Sequence, residues 1–120
     1  LEQTTNNPTV YIVDDDRAIR ESMTAVIESM GFQSQGFSSA EDFLARADTT
    51  RRGCLVLDVR MPGMSGFELQ ERLADDGVML PIIFYSGHGD ISRLNDKLPP
   101  GVVAYLEKPS PPDTLAAAIH

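Results

Sequence analysis

Five short apolar runs alternate along this chain with stretches of helical spacing, and that alternation limits the fold more than any other feature. The first run, Val10-Tyr11-Ile12-Val13, ends abruptly in Asp14-Asp15-Asp16. Ile19, Met23, Val26, Ile27 and Met30 then recur every three or four residues, the mark of one helical face. Gly31 closes that stretch as a helix-terminating glycine. Residues 32–37 read as a second, weaker strand. Ser38 and Glu41 have the spacing of a capping box, opening a short helix through Phe43 and Leu44. A turn over residues 49–53 leads to Cys54-Leu55-Val56-Leu57, the third run, which ends in Asp58. A loop, Met61-Pro62-Gly63-Met64-Ser65-Gly66, precedes a helix marked by Phe67, Leu69 and Leu73. Pro81-Ile82-Ile83-Phe84-Tyr85 is the fourth strand, and residues 102–106 are the fifth. Between them a short helix with Ile91, Leu94 and Leu98 runs into Pro99-Pro100-Gly101. A last helix begins near Pro111 or Pro112 and still runs at His120. Strands that are apolar throughout and separated by helices imply an α/β fold, a parallel sheet covered on both faces. Right-handed crossovers make it an open, doubly wound sheet, whose ligand site lies at the carboxyl ends of the strands.

The chain is long enough for one core, which assigns residues 9–120 to a single domain and residues 1–8 to a polar tail. Its first residue is Leu1 rather than Met, so the natural protein is expected to be longer. Ten Lys and Arg against 18 Asp and Glu give a net charge of −8. That balance speaks against direct binding of nucleic acid or of an anionic membrane surface, both of which need a basic face. No apolar run approaches the roughly 18 residues of a membrane span, and no signal peptide opens the chain. A single cysteine, Cys54, rules out an internal disulfide and fits a reducing cytoplasm.

The chemistry gathers at the strand ends. Asp14, Asp15 and Asp16 follow the first strand, Asp58 the third, Ser86 the fourth and Lys108 the fifth. If the first and third strands are neighbours, at least three carboxylates share one pocket, and like charges so close oppose joint ionisation. A hard divalent cation with oxygen ligands relieves this, and Mg2+ is the natural choice in a cell. An acid at a strand tip, acids for a metal, a hydroxyl and a lysine together suit phosphoryl transfer to a carboxylate. Asp16 reads more simply as a helix cap. Tyr105 reads on its own as a half-buried aromatic near a sheet edge, and the methionines as core or loop filler.

Val13-Asp14-Asp15-Asp16, the segment from Leu57 through Asp58 to Gly66, Ser86-Gly87-His88-Gly89-Asp90 and Glu107-Lys108-Pro109 follow one another in order, each after a predicted strand. Together they resemble the receiver domain of a two-component response regulator, over about residues 9–119. The Ser-Gly-His-Gly-Asp segment is most similar to the branch with helix-turn-helix transcriptional outputs. The resemblance implies a flavodoxin-like sheet in the order 2-1-3-4-5. It implies Asp58 as phosphoacceptor, and Mg2+ held by Asp15, by Asp14 directly or through water, by Asp58 and by the backbone carbonyl of Arg60. It further implies that Lys108 pairs with the phosphoryl group, that Ser86 hydrogen-bonds to it, and that Tyr105 is an aromatic switch coupled to Ser86. Pro109 would be cis, and His88 and the Arg60 side chain would tune the lifetime of the phosphoryl group. The implied partners are a sensor histidine kinase, a DNA-binding output domain outside this chain, and a second copy on phosphorylation.

Two segments depart from the family pattern. Pro99-Pro100 should end the fourth helix near Lys97 or Leu98, and Ser110 with two further prolines follows Lys108-Pro109, so shortened fourth and fifth helices are expected. These departures leave a phosphorylation-independent docking module as an alternative. A Mg2+-dependent aspartyl-phosphate phosphohydrolase is a further one. Such enzymes typically carry a second acid two residues after the nucleophile, where this chain has Arg60, and the chain is short for a substrate cap.

Overall fold

A computed structural model describes residues 8–48, 53–78, 80–87 and 101–108. The elements, in order, are β1 (Thr9–Val13), α1 (Arg17–Ser29), β2 (Gln33–Phe37), α2 (Ala40–Arg46), β3 (Gly53–Leu57), α3 (Gly66–Asp75), β4 (Ile82–Ser86) and β5 (Val102–Glu107). All strand pairs are parallel, and the sheet order is β2-β1-β3-β4-β5, as the resemblance implies. The expected fourth and fifth helices, the Pro99-Pro100 break, His88, Pro109, residues 49–52 and most of the tail lie outside the described residues.

Burial explains why the strands are apolar on both faces. Every residue of β1 is buried, because helices cover the sheet on either side. One face packs Tyr11, Val13, Leu55, Leu57, Ile82 and Phe84 against Phe43 of α2 and Leu69 and Leu73 of α3. The other face packs Val10, Ile12 and Val56 against Met23 and Ile27 of α1. The helical stripe read from the sequence is thus the buried stripe of α1, with Ile19 and Val26 half-buried at its margin. Tyr11, Phe37 and Phe43 form an aromatic cluster with ring centroids 5.4 to 6.3 Å apart, Phe43 lying edge-to-face with each of the other two. β2, at the edge, is largely exposed, which accounts for its weak sequence signal.

Three local details differ from the sequence expectation. The cap of α2 is Ser39, not Ser38: Ser39 is extended (φ −152°, ψ 161°), and its hydroxyl accepts the Asp42 N–H at 3.0 Å. Starting the helix there turns both Ala40 and Phe43 into the core, whereas a one-residue shift would rotate them by about 100°. The true capping box is Ser65–Glu68 at the start of α3, with both reciprocal bonds formed. Gly53 belongs to β3 rather than to the preceding turn. A Cβ on it would lie 1.8 Å from the Thr9 carbonyl oxygen, so only glycine permits β3 to pair this closely with β1.

The β4–β5 pair is offset. Ile82 pairs with Val102 but Ile83 pairs with Ala104, so Val103 is an extra residue at the lower end of the ladder, and its side chain is exposed.

Candidate functional site

Backbone bonding carries the sheet one residue past its strands, and those extra residues bear the functional groups. Asp14 N–H donates to the Phe37 carbonyl, Asp58 N–H to the Val13 carbonyl, and Lys108 N–H to the Ser86 carbonyl. The tips of four strands therefore deliver Asp14, Asp58, Ser86 and Lys108 to one rim.

Their side chains interlock. The Lys108 ammonium lies 2.8 Å from Asp14 Oδ2 and 3.4 Å from Asp58 Oδ2. Ser86 Oγ donates to Asp58 Oδ1 at 2.8 Å and accepts the Val59 N–H at 3.3 Å. Asp14 Oδ1 accepts the Asp16 N–H at 2.9 Å. Asp14, Asp58 and Ser86 are buried. Burial pushes the Asp58 carboxyl above the ordinary carboxylate range; the Ser86 hydrogen bond offsets part of this, the Asp14 charge adds to it and the Lys108 charge works against it. Burial also opposes the charged ammonium of Lys108, but the hydrogen bond from Lys108 to Asp14 and the two carboxylate charges outweigh it, and its pKa ends above the usual lysine value. The ammonium also lies 5.7 Å from the centre of the Tyr85 ring, a contact the sequence did not reveal.

Asp15 completes the acidic set. One carboxylate oxygen from each of Asp14, Asp15 and Asp58 lies within 4.8 Å of the other two, with Asp15 exposed. Two sheltered carboxylates and a third open to solvent form a hard oxygen donor set that fits a small divalent cation. Beside Asp15 opens a cleft of about 510 Å³, lined by Val59, Arg60, Met61, Pro62, Ser65 and Phe67. Gly66 follows Ser65 as the first residue of α3. Its N–H donates to the Val59 carbonyl at 2.8 Å, and a Cβ on it would lie 2.2 Å from the Asp58 carbonyl oxygen.

Residues 10–120 match the family model of the response regulator receiver domain. The chain belongs to that family. The response regulator protein TmoT of Ectopseudomonas mendocina is 44% identical over 111 residues, which is 92% of this chain and 50% of that protein. The transcriptional regulatory protein FixJ of Bradyrhizobium diazoefficiens is 39% identical over 111 residues, 92% of this chain and 54% of that one. Among solved structures, the response regulator StyR superposes with a TM-score of 0.85 at 40% identity, covering 94% of this chain and 57% of that one. The chain named FixJ-N gives 0.83 at 40% identity, covering 94% and 90%. The chain spans about half the length of the curated relatives it matches.

The receiver domain brings Asp14, Asp15, Asp58, Ser86 and Lys108 together, as their positions at the strand ends suggested. Arg60 lines the cleft beside Asp15. Asp16 is the α1 cap: its carboxylate accepts the N–H groups of Ala18 and Ile19. Tyr105 makes its contacts elsewhere. Its ring stacks on Phe84 with centroids 5.4 Å apart and planes 11° from parallel. Its hydroxyl is buried with no hydrogen-bond partner among the described residues. Sequence reasoning missed Gly66, although a glycine directly after a capping serine hinted at a close approach.

Proposed function

We propose that this receiver domain accepts a phosphoryl group onto Asp58 from a phosphohistidine of a sensor histidine kinase, and that the transfer switches an output surface used in transcription control. The observation that carries the reading is the Lys108 ammonium held between Asp14 and Asp58, with Ser86 donating to the same Asp58 carboxylate. The set puts a fixed cation and a hydroxyl donor on one buried acceptor carboxylate, Lys108 at Oδ2 and Ser86 at Oδ1. Asp14, Asp15, Asp58 and the Arg60 carbonyl would hold Mg2+, which, when bound, neutralises charge on the phosphoryl oxygens.

An Asp58 oxygen attacks phosphorus in line. The bond from phosphorus to the donor imidazole nitrogen breaks, its electron pair stays on that nitrogen, and an acyl phosphate forms on Asp58. Lys108 pairs with an equatorial phosphoryl oxygen, and Ser86 turns its hydroxyl from Asp58 Oδ1 to another. Water later attacks phosphorus, releases inorganic phosphate and restores the carboxylate. The domain acts on its own side chain rather than on a separate substrate. The added charge of about −1.5 to −2 then has to be read out. The buried hydroxyl of Tyr105, without a hydrogen-bond partner among the described residues, supports a role in that step, since a second position with a partner is favoured. The relatives' names, response regulator and transcriptional regulatory protein, support an output in transcription control; the proposed function adds a DNA-binding output domain outside this chain, homodimerisation on phosphorylation and a cytoplasmic setting. Among the described residues no helix is long and apolar enough to cross a membrane.

The test is intact mass after incubation with a small acyl phosphate, with Mg2+ and with chelator, on the parent and on Asp58→Asn. One added phosphoryl group that requires both Mg2+ and Asp58 is the expected result. No gain, under conditions that label a known receiver, would leave a phosphorylation-independent docking module as the better account.

A further inference from the structure

The loop between Asp58 and α3 is pinned at two places. At its base, Gly66 N–H bonds to the Val59 carbonyl at 2.8 Å, and the Gly66 backbone lies against that of Asp58. At its tip, Glu41 of α2 reaches across from a different element, and its Oε2 accepts the Met64 N–H at 3.0 Å. Gly63, at φ +78°, makes the turn that presents this amide, and a Cβ on it would lie 2.6 Å from Glu41 Oε2. The turn and the carboxylate therefore fit one another. The helix behind Glu41 is a firm support, because its neighbours Ala40 and Phe43 are fully buried. Arg60 lies between the two pins.

We propose that Glu41 is a positioning residue for the metal site: by holding the Met64 amide, it fixes the loop that carries the Arg60 carbonyl. This rests on the reading under Proposed function that Asp14, Asp15, Asp58 and the Arg60 carbonyl hold Mg2+. Glu41 touches neither metal nor phosphoryl group and acts through the loop backbone alone. The Glu41–Met64 bond is exposed, so its loss leaves global stability nearly unchanged. Its effect falls on the geometry of one ligand, where loss of supporting contacts weakens metal affinity by about tenfold or more. An exposed contact acting through backbone belongs at or below the low end of that range, about threefold to tenfold.

The experiment titrates Mg2+ into the whole chain by 1H–15N NMR, and measures the rate of labelling by a small acyl phosphate as a function of Mg2+. The variants are Glu41→Ala, Glu41→Gln and Asp42→Ala. Glu41→Ala should raise the Mg2+ concentration for half-saturation about threefold to tenfold while the rate at saturating Mg2+ stays at the parent value. Glu41→Gln should restore the parent affinity, because its amide oxygen can accept the same N–H. Asp42→Ala removes an equal charge from the same helical turn and should leave Mg2+ affinity unchanged. Parent-like affinity in Glu41→Ala, or an equal loss in Asp42→Ala, would overturn the assignment while Mg2+ binding by the parent still stands. A parent that shows no Mg2+ response would overturn both the metal reading and this one.

Discussion

Lys108→Met isolates the charge balance at the rim. The substitution keeps the apolar stem and removes the ammonium that lies 2.8 Å from Asp14 and 3.4 Å from Asp58. At an effective dielectric of 20 these contacts correspond to about 6 and about 5 kcal/mol of gross attraction. Most of that offsets the cost of taking three charges out of water, so the net effect is far smaller. Removing one partner of a sheltered ion pair costs about 3–5 kcal/mol. Solvent access through Asp15, and the ability of Asp58 to take up a proton, put the value here near the bottom of that range, about 3 kcal/mol. Urea unfolding at pH 7 in chelator should show this loss relative to the parent. Two further conditions test its cause. Saturating Mg2+ should return more stability to the variant than it adds to the parent, since the metal supplies the missing positive charge and no longer competes with Lys108 for Asp14. Lowering the pH towards 5 should shrink the deficit, as a carboxylate gains a proton. A variant as stable as the parent in chelator, or a deficit indifferent to both Mg2+ and pH, would refute the argument that Lys108 holds two otherwise repelling acids together.

Asp58→Asn should abolish phosphoryl uptake in the intact-mass assay. In chelator it should also be more stable than the parent at pH 7: the folded parent holds the Asp58 proton more tightly than the unfolded chain, so its stability falls as pH rises from the ordinary carboxylate range through the raised pKa. Denaturation at pH 4 should find the two chains nearly equal. Gly66→Ala places a methyl group 2.2 Å from the Asp58 carbonyl oxygen, so it should cost about 1–3 kcal/mol and slow labelling, read by thermal unfolding and mass. Burial lifts the Cys54 thiol to about 11. At pH 8 roughly one molecule in a thousand then carries the thiolate. Thiol titration should therefore show very slow reaction in the native state and rapid reaction in urea; fast native labelling would contradict the burial.

Much of this was legible because the determining signals are periodic or sit at element ends. The spacing of Met23 and Ile27 marks the buried stripe of α1, and apolar runs ending in Asp14, Asp58 and Lys108 mark strand tips. What escaped were contacts without periodicity. The choice between Ser39 and its neighbour as the α2 cap depends on which phase buries Phe43, and two adjacent serines give no local clue. The Glu41 bond to Met64 joins an exposed residue to a half-buried one 23 positions away, and no pattern in either segment announces the other. The ring of Tyr105 could be placed in a strand, but the burial of its hydroxyl depends on the packing around Phe84.

The extra residue in β5 gives this receiver domain some slack. Val103 lies at the exposed lower end of the ladder, and above it the pairing runs without interruption from Ile83 with Ala104 to Ser86 with Glu107. Had the register of Val102 continued unbroken, Glu107 rather than Lys108 would stand one place beyond Ser86, and an acid would face two acids. The bulge thus settles the sign of the charge on the rim from the opposite end of the strand. It also means that deleting Val103 shortens the chain without moving the lysine, whereas removing any one residue between Ala104 and Glu107 draws the lysine out of place. The strand tolerates a change of length only at the end remote from the chemistry.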